Sequence, residues 1–157
     1  MGWWDGPAQP ARPGERPSTN ANRSGGTVVN EIQPELWVEH PTDAIAFYQA
    51  AFAATIVHQV GKADDIVAQL AVGGAHFWVS NADPTTGRFN PATLGGTTTR
   101  TLLVVADPDT IVDAVGAAGA TVTSPVGDEH GWRLGRLTDP FGHRWEIGTP
   151  ITMWPPA

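Results

Sequence analysis

Residues 131–150, GWRLGRLTDPFGHRWEIGTP, decide the fold. They read as two strands joined by a tight turn. Asp139-Pro140-Phe141-Gly142 puts Pro at the second turn position and Gly at the fourth. That pattern suits a type I turn, because Pro presets φ and Asp can bond the turn backbone. Beyond the turn, side chains alternate faces. His143, Trp145 and Ile147 then share one face, which reads as core, and Arg144 and Glu146 share the other. Charges on a strand usually line a solvated face. Glu146 nevertheless stands mid-strand in a segment that otherwise seeks burial, so the rest of the chain must say what faces it.

Working outward, the segment that begins at Thr27 predicts a strand ending near Glu39, with Gln33, Glu35 and Trp37 on one face and Leu36 and Val38 on the other. Pro34 inside it points to an edge position. His40-Pro41 opens a helix, with Ala44, Phe47, Tyr48 and Ala51 as its apolar stripe. Strands follow as ATIVHQV, DIVAQLAV and AHFWVSN, broken at Gly61 and Gly73-Gly74. Residues 83–98 read as loop. Then the order repeats. RTLLVVA is a strand and Asp107-Pro108 caps a helix. Its stripe is Ile111, Val112, Val115 and Ala118, and Gly119 ends it. TVTSPV leads into the opening hairpin. His40-Pro41 aligns with Asp107-Pro108, and Ala50-Ala51-Phe52 with Ala117-Ala118-Gly119 at the same spacing. The fold class is therefore α+β, two βαβββ modules (residues 28–81 and 98–150) that form a shared cleft.

Residues 1–27 form a separate zone, rich in Pro, Gly, Ser and Asn, that cannot bury enough surface to offset its ordering entropy; a disordered tail is expected. Residues 151–157 are expected as a short C-terminal tail. At 157 residues and net charge −7, with only nine Lys and Arg, the chain lacks the footprint of a nucleic-acid partner. Zero cysteines exclude thiol nucleophiles, disulfides and Cys-based zinc sites. No apolar run approaches the ~20 residues of a membrane helix, and the first residues lack the order of a signal peptide. A cytoplasmic location is expected. No Gly-rich phosphate loop, nucleophile elbow or HExxH motif occurs.

AIAFYQAAFAA after the first strand, GAAGATV after the second helix and DPFGHRWEIG at the end resemble the vicinal oxygen chelate superfamily. That superfamily includes glyoxalase I, bleomycin-resistance proteins and extradiol dioxygenases. The resemblance covers residues 29–150 and is strongest to the small, usually dimeric glyoxalase-like branch, which implies a homodimer. In metal-binding members, one side chain from each of four strands reaches into the cleft to hold a divalent ion. Carried over by spacing from the helix starts and the turn glycines, those positions are Gln33, Trp78, Arg100 and Glu146. Only Gln33 and Glu146 keep the expected type. Trp offers no usable lone pair and Arg stays protonated, while a tight divalent site wants at least three N or O donors. The substitution implies that Arg100 pairs with Glu146 where the ion would stand, and that no cofactor is needed. If a divalent metal is bound, the resemblance leaves Gln33, His76 and Glu146 as its ligands; a lone strand His is more often simply hydrogen-bonded in place.

Gln33, Trp37, His76, Trp78, Arg100, Trp132 and Glu146 are thus the candidate ligand-binding residues. Flat indole faces and a few directional polar groups suit an aromatic or anionic small molecule, although core packing is an equally good reading of each Trp. The implied function is a metal-free binding protein of the bleomycin-resistance type that sequesters such a compound. The alternatives are enzymes, and the residues alone do not choose: a divalent-metal lyase, isomerase or dioxygenase, or a metal-free isomerase or cyclase with Glu146 as the catalytic general base. Arg100 beside Glu146 would weaken it in that last role. A domain kept mainly for dimer contacts is the blandest reading.

Overall fold

The computed structural model describes residues 30–155. The expected N-terminal tail, residues 1–27, lies outside them. The chain divides into Met1–Ile32 and a folded unit, Gln33–Ala157. In the folded unit the first module runs β1 (Glu35–Val38), α1 (Pro41–Phe52), β2 (Thr55–Val60), β3 (Val67–Val72) and β4 (Ala75–Asn81). The second runs β5 (Arg100–Val104), α3 (Pro108–Ala117), β6 (Thr121–Glu129), β7 (Trp132–Thr138) and β8 (Arg144–Pro150). Each module makes one four-stranded sheet of the same design, β1-β4-β3-β2 and β5-β8-β7-β6. In both, the strand before the helix pairs parallel with the last strand, and the rest are antiparallel. The two βαβββ modules expected from the repeat are present.

Local rules explain most of the elements. Pro41 sits at the start of α1, and its stripe of Ala44, Phe47, Tyr48 and Ala51 is buried. Asp107 caps α3 by accepting from the Thr110 amide at 3.1 Å. Its stripe is narrower than expected, since Val112 and Val115 are buried but Ala118 lies beyond the helix and is exposed. β1 is also shorter than the expected strand. It starts just after Pro34, whose ring supplies no N–H, and it is an edge strand as Pro34 predicts. Residues 83–98, expected as loop, hold a 3₁₀ turn at Pro84–Thr86 and a short helix, α2 (Pro91–Leu94). Asp83 and Asn90 cap them through side-chain oxygens, each followed by Pro. The same Asx-Pro signature opens α3, so both turns had a readable signal.

One core serves both modules. The inner faces of the two sheets and of α1 and α3 contribute to a single buried cluster that runs from Leu36, Val38 and Val79 to Val115, Leu137, Trp145 and Ile147. At its centre Trp145 lies 4.8 Å from the Phe52 ring, 5.7 Å from Tyr48 and 6.0 Å from Phe77, centroid to centroid. Tyr48 and Trp145, expected as core, are 0% and 3% exposed.

The turn after β7 pins this core. The Gly142 amide donates to the Asp139 carbonyl at 3.0 Å, and Gly142 takes φ +91°, a conformation open to glycine. A Cβ there would come within 2.9 Å of Pro91. The Asp139 carboxylate is buried and accepts four hydrogen bonds. The Phe141 and His143 amides reach Oδ1 at 3.0 and 2.9 Å, and the Tyr48 hydroxyl and the Trp145 indole reach Oδ2 at 2.6 and 2.9 Å. Tyr48 belongs to the first module and Asp139 to the second, so this carboxylate is also the link between them. The His143 ring makes a second link, through Nε2 and the Trp37 carbonyl at 3.0 Å.

Burial, then the charge of Asp139, then their hydrogen bond, hold the Tyr48 hydroxyl well above the ordinary tyrosine value. A group whose proton is held more tightly in the folded state contributes stability that is full below the unfolded pKa of about 10 and is lost as pH rises beyond it. Tyr48 is the single tyrosine, so tyrosinate absorbance should appear only with alkaline unfolding. Asp139→Ala strands two buried donors and should cost about 3–5 kcal/mol in urea unfolding. Tyr48→Phe, which removes one charge-assisted bond, should cost about 1.5–3 kcal/mol.

Candidate functional site

With the inner faces committed to the core, the outer faces of the sheets carry the polar side chains. Strand register places the expected candidates in two groups. On the first sheet Trp78 of β4 lies beside Glu35 of β1 and Gln69 of β3, with Trp37 and Ser80 one step along. His76 shares that face, opposite Ala71. Gln33 Oε1 accepts from Gln69 Nε2 and from Trp78 Nε1, both at 2.7 Å. Glu35 accepts from the Ser80 hydroxyl at 2.6 Å. Trp37 is half-buried, and its indole N–H is buried without a hydrogen-bond partner among the described residues.

On the second sheet Leu102 of β5, Glu146 of β8 and Arg136 of β7 form one row across three strands. Glu146 is 5% exposed, so the solvated-face reading of strand charges fails for it. It is flanked instead by two guanidinium groups: Arg100 Nη2 at 2.6 Å from Oε2 and Arg136 Nη2 at 3.3 Å from Oε1. Arg136 also grips Glu129. That hydrogen bond holds the Glu129 carboxyl below the ordinary carboxylate range, against a smaller opposing effect of desolvation. Arg100 therefore pairs with Glu146, and Arg136, which sequence reasoning missed, joins them. A signal existed: once the Asp139 turn fixes the hairpin register, Arg136 falls opposite Glu146.

A cavity of about 320 Å³ opens over this row. Leu102, Trp132, Leu134 and Trp154 give it apolar walls, and Arg100, Glu129, Arg136 and Glu146 its polar lining. Trp132 and Trp154 meet edge to face at 5.3 Å. Trp154 comes from the segment expected as a tail, which returns along the hairpin through the Ile151 amide and the Gly131 carbonyl at 2.9 Å. His130 also lines this cavity, from a left-handed turn position (φ 51°).

The donor set does not fit a divalent ion. Among the described residues no group of three or more His, Asp or Glu side chains is placed to hold one. The chemistry agrees: the Gln33 carbonyl oxygen already accepts two hydrogen bonds, and both Glu146 oxygens face fixed cations. As a general base Glu146 is equally engaged, since a substrate proton would have to displace a guanidinium.

Comparison with known proteins adds the family. A model described as Glyoxalase/Bleomycin resistance protein/Dioxygenase superfamily matches residues 28–147. A protein of Mycobacterium tuberculosis (strain ATCC 25618 / H37Rv) is 35% identical over 126 residues, covering 76% of this chain and 74% of that protein. Among solved structures, TnmS3, an antibiotic binding protein from Streptomyces sp. CB03234, superposes with TM-score 0.61 at 18% identity over 78% of this chain and 97% of that one. The fosfomycin resistance protein FosX from Listeria monocytogenes, complexed with Mn(II) and sulfate, gives 0.60 at 15% identity over 78% and 91%. At these identities the two structures speak for the fold alone. The chain belongs to the superfamily.

Glu146→Gln would leave Arg100 and Arg136 without the anion between them. Because both guanidinium groups are part-exposed, the cost should be about 1–2 kcal/mol, below that of breaking a fully buried pair. The variant's thermal midpoint should also rise more steeply with sulfate than the wild type's, as the anion replaces the lost carboxylate.

Proposed function

We propose that this member of the glyoxalase/bleomycin resistance superfamily is a metal-free small-molecule-binding protein that sequesters an aromatic or anionic compound on the outer face of its second sheet. The observation that carries the reading is the 2.6 Å Arg100–Glu146 contact, backed by Arg136 on the other oxygen. It sets fixed positive charge where a metal-dependent relative would keep ion donors, and it occupies the carboxylate a metal-free enzyme would need. What remains over that ion pair is a cavity large enough for a small molecule, walled by two indoles and two leucines. TnmS3 is described by what it binds, an antibiotic, and FosX was solved with Mn(II). The fold accommodates both chemistries, so the side chains must choose, and here they favour binding.

The partner that suits the open faces is a second copy of the chain. Leu102 and Val104 on the second sheet, and Ile56, Val57 and Val60 on β2 of the first, are 43–56% exposed. Because the inner faces share one core, the two polar groups sit on faces turned away from it. Laying the first sheet of one copy over the second sheet of another would cover apolar surface and bring Gln33, Trp37, His76 and Trp78 toward Arg100, Trp132 and Glu146. In that dimer a ligand would stack between indoles from both copies.

Metal analysis after incubation with Mn(II) or Zn(II) and dialysis should find far less than one ion per chain. One tightly held ion per chain would return the enzyme reading to first place. Sedimentation should give a dimer at micromolar concentration. In a tryptophan-fluorescence screen of aromatic carboxylates, both Trp132→Ala and Trp78→Ala should weaken binding by about tenfold or more with the unfolding midpoint little changed. A monomer, or a response to Trp132→Ala alone, would remove the shared-cleft arrangement.

A further inference from the structure

One row along the second sheet from Glu146, the register does something costly. Arg100 of β5 stands directly opposite Arg144 of β8, and Thr138 of β7 stands on the other side of Arg144. Like charges directly opposed across a sheet are destabilising. The neighbouring carboxylates relieve this only in part: Glu146 is taken up by Arg100 and Arg136, and Glu129 by Arg136. Arg144 is exposed and has no ion pair among the described residues.

A second cavity, of about 230 Å³, lies over this row. Arg100, Arg136 and Arg144 line it together with Thr123, Thr138 and the strand positions Leu137 and Trp145, whose side chains lie in the core, and no carboxylate is among its lining residues. Three of the six Lys and Arg residues of the folded unit therefore meet at one cavity in a chain of net charge −7. Guanidinium groups present planar pairs of donors that match an oxyanion, and threonine hydroxyls add single donors.

We infer that this cavity is an oxyanion site, which takes the phosphate, phosphonate, sulfonate or carboxylate group of a ligand whose apolar body lies in the adjoining cavity. The two cavities share Arg100 and Arg136, so a single amphipathic molecule spans them. Glu146 holds the two shared guanidinium groups in place, and the anion offsets the charge of Arg144. The inference rests on the reading of this sheet face as a ligand site and narrows its ligand to one carrying an anionic oxygen group.

Three probes test it at constant ionic strength, with chloride as the exchanged ion: inorganic phosphate, phenylphosphonate and phenol. Phosphate should saturate in the millimolar range and shift the Thr138 amide and arginine Nε–H resonances. Phenylphosphonate should bind about tenfold tighter and quench Trp132, and phenol should only quench. Arg144→Gln should weaken phosphate and phenylphosphonate by about tenfold and leave phenol unchanged, with Arg144→Lys recovering part of the loss. Because Arg144→Gln also removes the repulsion from Arg100, its unfolding midpoint should equal or exceed the wild type's, and that of Arg144→Lys, which keeps the charge, should match it. Absence of saturable phosphate shifts, or equal phosphate affinity in Arg144→Gln, overturns the oxyanion site. Quenching by phenol would then still leave the small-molecule reading standing, whereas failure of every probe to quench would remove both.

Discussion

A carboxylate buried in an apolar core is costly unless its lone pairs are met by hydrogen bonds. Asp139 meets that condition without any cation. Two backbone amides of its own turn, a phenol from α1 and an indole from β8 supply four donors to its two oxygens. The arrangement is strict because the four donors come from three different structural decisions. The amides require the turn, Trp145 requires the strand parity after it, and Tyr48 requires the first module docked in one orientation. Misplacing any of them would leave a buried charge under-satisfied, so one side chain couples turn, sheet and module packing. Its consequence for function is indirect. By tying the inner faces into one core, it leaves the outer faces, with their arginines, indoles and glutamates, as the surfaces on which chemistry can be built.

The parts of this design that obey local rules were legible in the sequence. Asp139 to Gly142 reads as a turn because Pro and Gly restrict the backbone there, and the alternation after it separates Trp145 from Glu146 without tertiary information. The α1 stripe and the Pro-opened helices are equally local. The link from Asp139 to Tyr48 is not, since nothing in either segment encodes a partner in the other module. Arg136 lies between these cases: hairpin register would have set it opposite Glu146, had the pairing been carried through the turn. The return of Trp154 along the hairpin onto Trp132 was illegible for a different reason. A short segment with two prolines looks like a tail until a specific indole supplies its contact.

The two buried carboxylates of the second module show how partner type separates structure from site. Asp139 accepts its four hydrogen bonds from neutral donors within the fold. Glu146 is buried on the outer face and balanced by guanidinium groups that are themselves half in solvent. Arg100 meets Glu146 through Nη2, whereas Arg136 also commits Nη1 and Nη2 to Glu129, so the surplus of N–H donors lies mainly on Arg100. Arg100 lines both cavities.

On the proposed reading, this surplus would make the second sheet the more specific of the two faces. On the first sheet the polar groups are largely spent on each other: Gln33 on Gln69 and Trp78, and Glu35 on Ser80. Closed networks of that kind rigidify a surface but leave little for a ligand to gain, apart from the stranded indole N–H of Trp37. On the second sheet the row of Arg100 and Arg144 is left electrostatically incomplete, and completing it from outside lowers a repulsion that folding alone does not remove. Stacking on indoles is tolerant of shape, so the aromatic walls select for size and flatness only. In the proposed site, discrimination among flat molecules would come from the arginine row, where a ligand lacking an anionic oxygen would leave the repulsion in place.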